Sequence, residues 1–165
     1  MNIHSAYIAV GSNIGERLDN CLNGIEIFAK ESDATNIKKS LFYQTEPLYV
    51  EEQDWFINGV FSIKTKKSPL ELFDIGKKIE NKLGRNKTSQ RYGPRVLDLD
   101  ILLVDDIIIQ TSQLVVPHPR LHERRFVLQP ICDIAPNLKH PVLGKSMEEL
   151  LMSLDDGNKK VYTYQ

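Results

Sequence analysis

The run Val96-Leu97-Asp98-Leu99-Asp100-Ile101-Leu102-Leu103-Val104 constrains this chain more than any other stretch of it. A helix would scatter its carboxylates and aliphatic side chains around the whole circumference. A strand sorts them, because successive side chains point to opposite faces. Asp98 and Asp100 then share one face, about 6–7 Å apart at Cα, while Leu97, Leu99, Ile101 and Leu103 share the other. The aliphatic face must be covered, so the chain has to build a sheet and lay something apolar on it. The carboxylate face carries two like charges, which raise each other's pKa unless a cation lies between them. Magnesium answers that demand, typically taking one or two protein carboxylates and completing its shell with phosphate oxygens and water. An isolated Asp-X-Asp is also what the wet face of a half-exposed strand looks like, so the pair acquires meaning only from its neighbours.

The rest of the chain supplies the partners this strand needs. Residues 5–11 read as a buried strand closing on Gly11. From about residue 16 to 30, Leu18, Leu22, Ile25 and Phe28, with Ala29, recur at helical spacing. Strands are expected over 37–44 and 57–66, and the acidic, turn-rich 45–55 segment between them reads as a long loop of the kind that often binds ligands. Ser68-Pro69-Leu70-Glu71 opens a helix with a capping box and a proline at its first turn. Its stripe is Leu72, Ile75, Ile79 and Leu83, and Gly84 ends it. After the strand over 96–104, Asp105-Asp106 turns the chain into Ile107–Ile109, a candidate hairpin partner.

The order β-α-β-β-α-β predicts an α+β fold of the ferredoxin-like kind, an antiparallel sheet with helices on one face. The remainder of the chain reads as C-terminal additions. Two prolines keep 117–122 irregular, a helix over 123–134 is broken at Pro130, Ser146 and Glu149 cap a short helix to about Ser153, and the tail KKVYTY gives an edge strand.

A length of 165 residues with 41% hydrophobic content fits a single domain over 1–165. The 21 basic and 22 acidic side chains leave a formal charge of -1, so the molecule as a whole offers no strong field to nucleic acid or to a membrane. Cys21 and Cys132, far apart and with no second ligand at metal spacing, read as buried thiols in a reducing compartment. With no signal-peptide pattern and no apolar run near the ~20 residues of a membrane span, the expected location is the cytoplasm.

Against that neutral background, residues 77–95 hold seven basic side chains (Lys77, Lys78, Lys82, Arg85, Lys87, Arg91 and Arg95) and one acid, Glu80. Solvated helix surface accounts for the lysines, less well for Arg91 and Arg95 flanking Gly93-Pro94. Planar guanidinium groups match phosphate oxygens, and beside a metal they neutralise a polyphosphate as it transfers. No glycine-rich phosphate loop is present, so side chains and metal must hold the phosphates.

At this point RYGPRVLDLDIL (91–102) resembles the signature of the 6-hydroxymethyl-7,8-dihydropterin pyrophosphokinase family of folate biosynthesis. AYIAVGSNIG, FYQTEPL, FINGV, IENKLGR and VPHPRLHERRFVL resemble further segments of that family, in the same order and along nearly the whole chain. The resemblance implies a ferredoxin-like enzyme that moves the pyrophosphoryl group of ATP to the hydroxymethyl oxygen of a reduced pterin and releases AMP. It implies Asp98 and Asp100 as ligands of two magnesium ions and Arg85 and Arg95 as the arginines that assist transfer. Lys77, Glu80, Lys87, Arg91, Tyr92, Arg95, Ile101, His118 and Arg124 fall on the nucleotide side. Phe56 and Phe126 match the aromatic positions that sandwich the pterin, Asn58 matches the amide that reads its polar edge, and Thr45, Pro47, Leu48 and Asp98 line the same place. Read without the family, the two phenylalanines would be core residues. A histidine between prolines suits neither helix nor sheet, which favours a functional His118. Val115 and Pro119 stand where the family carries hydroxyl or tyrosine residues in some members, so adenine contacts shift to backbone groups around Ile101 and 107–116.

Two other readings belong beside this one. A nucleic-acid-binding module using the 85–95 loop would present stacking aromatics on its sheet, and two aspartates there repel phosphate instead. A magnesium-dependent nucleotidyl or phosphoryl transferase on another small acceptor would keep the metal and ATP but release pyrophosphate or ADP. The expected partners are therefore ATP and the pterin, with no nucleic acid and no membrane, on a monomer.

Overall fold

Covering both sides of one twisted sheet is the task the hydrophobic pattern sets, and the computed structural model of the chain, which describes residues 2–45, 55–83, 95–155 and 161–164, shows how it is met. In chain order the elements are β1 (His4–Ser12), α1 (Arg17–Glu31), β2 (Thr35–Lys39), β3 (Tyr43–Thr45), β4 (Phe56–Thr65) and α2 (Pro69–Lys82). β5 (Asp98–Val104), β6 (Ile109–Gln110), β7 (Val115–Val116), α3 (Arg125–Ile134), α4 (Met147–Met152) and β8 (Val161–Thr163) come next. The main sheet runs β5-β1-β4-β3-β8, with β2 paired farther along β4, and its pairs are antiparallel.

Helices lie on both faces, not on one. Ala6, Ile8 and Val10 of β1, Ile57, Phe61 and Ile63 of β4, and Leu99 and Ile101 of β5 meet Cys21, Ile25 and Phe28 of α1 and Leu72 and Ile79 of α2. On the opposite face Val60, Leu102 and Leu103, with Tyr7 and Ala9 beside them, meet Val127, Leu128 and Ile131 of α3 and Met147 and Leu150 of α4. The carboxylate face of β5 is thus polar only at its start and turns apolar along its length. A register shift between Tyr7 and Ile8 makes Leu102 an extra residue opposite β1, which puts Leu102 and Leu103 on the same face. Leu103 therefore points away from Leu99 and Ile101, against the strict alternation expected of it.

Several local expectations change for physical reasons. The single strand expected over 37–44 is divided. Ser40 exchanges bonds with Val60, the backbone N–H of Ser40 donating to Val60 O at 2.9 Å and Ser40 Oγ accepting from Val60 N at 2.9 Å. The Phe42 ring then lies against Gly59, where a Cβ would stand 2.9 Å from it. The Ile107–Ile109 run does not pair with β5: Asp105, at a φ of 50°, binds Ser5 N at 2.8 Å and His4 Nδ1 at 2.7 Å, and β6 pairs with β7 in a separate two-stranded sheet. Leu22 sits at the surface, and α1 instead brings Gly24 against Leu97. Pro130 does not break α3; the helix runs through it, forgoing the bond its missing N–H would make. Part of 117–122 is regular after all, since Leu121–Glu123 forms a 3-10 turn. Both expected capping boxes, Ser68 with Glu71 and Ser146 with Glu149, are formed.

Candidate active site

Strand register assembles the site. Gly11 pairs with Asp98 on one side and Asn58 on the other, and Asn58 pairs in turn with Tyr43. Ala9 pairs with Asp100 and with Val60. Directly opposed residues share a face, so Asp98, Asn58 and Tyr43 form one row and Asp100 and Val60 the next. The residues between the carboxylates and the amide are the two smallest available. Gly11 and Ala9 leave a trough about 10 Å wide, two strand spacings, on a face walled elsewhere by larger side chains.

Asn58 is held over the floor of this trough. Its Nδ2 donates to Thr45 Oγ1 at 2.6 Å, and its Oδ1 lies so close to Gly11 that a Cβ there would be 2.5 Å away. Phe56 has the same strand parity and faces the same way, opposite Thr45, which is buried. Tyr43 Oη donates to Asp133 Oδ2 at 2.7 Å, tying the end of α3 to this row, and burial with the Asp133 carboxylate pushes the tyrosine pKa well above its ordinary value. Phe126 packs at the edge of the cluster under α3, and the Arg124 guanidinium lies 5.4 Å from its ring centre.

The carboxylates are braced from behind and below. Asn13, 2% exposed, accepts from Arg95 N through Oδ1 at 2.7 Å and donates its own N–H to Arg95 O at 3.0 Å, fixing the entry to β5 against the end of β1. Arg95 Nε lies 3.9 Å from Asp98 Oδ1. Leu99, between the two aspartates, donates its N–H to Glu80 Oε2 at 2.8 Å, and Glu80 Oε1 meets Lys77 Nζ at 3.4 Å. Glu80 is 2% exposed, so the structure gives its carboxylate the task of holding the outer edge of β5. Ile101 turns its side chain into the face covered by α1 and α2.

His118 reaches the far end of the pair. Its N–H donates to Leu102 O at 2.9 Å, and its Nδ1 accepts from Arg120 N at 3.1 Å, which assigns the proton of the neutral ring to Nε2. Burial lowers its pKa first, Asp100 opposes that, and Arg124 and Arg120 add to it. The structure therefore brings His118, Asp100 and Arg124 into one electrostatic neighbourhood. Pro47, Leu48, Arg85, Lys87, Arg91 and Tyr92 lie outside the described residues.

Among the described residues no three His, Cys, Asp or Glu side chains gather as a metal cage. Two carboxylates with oxygen donors only fit a hard cation that takes most of its shell from phosphate and water, which is the habit of magnesium. The thiols stay out of this chemistry: burial, then Asp98, pushes Cys21 up to about 12, and burial, then Glu148 and Asp133, pushes Cys132, which is only half-buried, up to about 11. Gly11, Asn13 and Tyr43 were not singled out by sequence as site residues; a glycine inside a strand is the one signal that marked any of them.

Residues 7–136 match the family model described as 7,8-dihydro-6-hydroxymethylpterin-pyrophosphokinase (HPPK). The 2-amino-4-hydroxy-6-hydroxymethyldihydropteridine pyrophosphokinase of Bacillus subtilis is 45% identical over 129 residues, covering 78% of this chain and 77% of that protein. The folic acid synthesis protein fol1 of Schizosaccharomyces pombe is 36% identical over 158 residues, and the match covers 96% of this chain but only 21% of that relative's length. Among solved structures, HPPK-DHPS of Plasmodium falciparum superimposes with a TM-score of 0.68 over 92% of this chain and 45% of that one, at 14% identity, a likeness of fold.

Proposed function

The chain belongs to the 7,8-dihydro-6-hydroxymethylpterin-pyrophosphokinase family, and from that premise we propose that it transfers the pyrophosphoryl group of ATP to 6-hydroxymethyl-7,8-dihydropterin in folate biosynthesis. The pterin hydroxyl oxygen bonds to the β-phosphorus and releases its proton to water, the bond from that phosphorus to the α-phosphate oxygen breaks, and AMP leaves. The observation that carries this reading is the trough: Asp98 and Asp100 on one wall, Asn58 on the other, and only Gly11 and Ala9 between.

Asp98 and Asp100 would hold magnesium, two ions in this reading, which when bound supplies charge neutralisation to the transferring phosphates. Arg95, set beside Asp98, and Arg85 offset the charge that develops on the phosphoryl oxygens. Arg124 and His118 orient the triphosphate end, and Lys77, Lys87, Arg91, Tyr92 and the Ile101 backbone complete the nucleotide side. Phe56 and Phe126 stack on the flat pterin, Asn58 reads its edge, and Thr45 fixes the rotamer of Asn58. Pro47 and Leu48 line the same end. Catalysis comes from positioning and electrostatics, worth several orders of magnitude in phosphoryl transfer.

The fold is read as ferredoxin-like with C-terminal additions, supported by the order β5-β1-β4 followed by the divided β2/β3 strand. A single domain working as a monomer in the cytoplasm completes the proposal, and one sheet underlies both hydrophobic clusters. Asp98→Asn and Asp100→Asn test the reading. Each is expected to lower AMP formation by about 100-fold or more while leaving the thermal midpoint near that of the parent. AMP formation near the parent rate in both variants would contradict it.

A further inference from the structure

Beyond the chemistry of the trough, the C-terminal strand makes a set of contacts that the fold does not require. β8 adds to the outer edge of β3 in a short antiparallel ladder, Tyr43 opposite Thr163, Gln44 opposite Tyr162 and Thr45 opposite Val161, extended by a bond from Tyr164 N to Phe42 O at 2.8 Å. β3 is only three residues long and ends on Thr45, whose hydroxyl holds the Asn58 amide. The same strand also reaches Trp55, the residue before Phe56. The Trp55 and Tyr162 rings stack at 6.1 Å with 18° between their planes. Arg17, in the first turn of α1, donates to Trp55 O at 2.6 Å while its guanidinium carbon lies 5.9 Å from the Tyr164 ring centre.

We propose that β8, through Tyr162 on Trp55 and its ladder with β3, is a clasp that sets the positions of Thr45 and Phe56 and thereby tunes affinity for the pterin. Three observations carry the inference. The clasp grips the chain at 42–45, which ends on Thr45, and at 55, the residue before Phe56, and Thr45 and Phe56 are both assigned to the pterin. The stacked rings are half-exposed, Trp55 at 37% and Tyr162 at 46%, so the pair is not a demand of core packing. β8 itself lies beyond residue 136, where the match to the family model stops, while the segments it grips, 42–45 and Trp55, lie within that match. Tyr162 and Trp55 act here as positioning residues. The nucleotide end, at β5 and His118, lies across the sheet from β8 and is not held by it.

The inference rests on the pterin reading above, and the experiment separates the two. Binding of 6-hydroxymethyl-7,8-dihydropterin, in the presence of magnesium and a non-hydrolysable ATP analogue, is measured for the parent chain, Tyr162→Ala, Tyr162→Phe, Trp55→Ala and Trp55→Phe, alongside binding of the analogue alone. The alanine variants are expected to raise the pterin Kd about tenfold, about 1.4 kcal/mol, with the analogue Kd unchanged and the phenylalanine variants close to the parent. An unchanged pterin Kd in the alanine variants overturns the clasp, and so does an equal weakening of both ligands, which would mark a general structural loss. If one position yields no folded alanine variant, the other decides. A parent chain that binds the analogue but not the pterin refutes the functional reading itself and takes the clasp with it.

Discussion

A Cβ on Gly11 would stand 2.5 Å from Asn58 Oδ1, well inside van der Waals distance, and the atom it would strike is the one held over the trough. Gly11→Ala must therefore push the Asn58 amide off its bond to Thr45 or shift β4. We expect the pterin Kd to rise about tenfold with nucleotide binding unchanged, the size of one displaced polar contact. Calorimetric titration with each ligand checks it, and an unaltered pterin Kd would mean that Asn58 does not read the pterin. The same scale shows what the sequence could carry. Alternation alone put Asp98 and Asp100 on one face, because that inference needs only the strand period. It could not show that Gly11 lies between Asp98 and Asn58, since register joins residues 11, 58 and 98 through pairings that no local window contains. Glu80 carries a contact that no local pattern shows: it accepts from Leu99 N, nineteen positions away, at 2.8 Å. Phe56 and Phe126 enter the proposal only through the resemblance, because an aromatic in an apolar stretch reads as core.

Elements were legible where their signals are local. The Ser68 and Ser146 boxes fixed the starts of α2 and α4 because a capping residue and its partner sit three positions apart. The split between β2 and β3 was hidden, since it depends on Ser40 meeting Val60 and on Phe42 folding against Gly59. The connection between α3 and α4 adds a pH dependence. His140 is 5% exposed, and its Nδ1 accepts from Val142 N at 3.2 Å and Leu143 N at 3.1 Å, a role open only to an unprotonated nitrogen. Burial, and then the neighbouring His122, lowers its pKa below the ordinary 6.5. The unfolded chain then takes up its proton at a higher pH than the folded one. Stability from the neutral ring is complete above the unfolded pKa and is lost as the pH falls through the folded one. His118, lowered mainly by burial, acts in the same direction. His140→Asn keeps an acceptor and removes the titration, so its thermal midpoint should fall less steeply than the parent's between about pH 7 and pH 5. Identical slopes in the two proteins would contradict the assignment.

At the scale of the whole molecule, two hydrophobic layers pack on one sheet, and among the described residues Asp98, Gly11 and Asn58 meet at the end where β5 begins, β1 ends and β4 starts, where the candidate site is built. A chain with a formal charge of -1 must meet the polyphosphate of the proposed reaction through local charge, and Arg95 and Arg124 stand near the carboxylates. Composition gave the absence of a global field, and the β-α-β-β-α-β order gave the first layer of helices. The second layer was not legible, because the apolar residues on that face of β5 come from a bulge that breaks strict alternation. The central claim is that this trough directs attack at the β-phosphorus of ATP by a pterin hydroxyl. Phosphorus-31 NMR of the protein with magnesium, ATP and 6-hydroxymethyl-7,8-dihydropterin tests it most directly. The account predicts AMP appearing in equal amount with a new two-phosphorus ester and only when the pterin is present; ADP, or free pyrophosphate with an adenylated product, would contradict it.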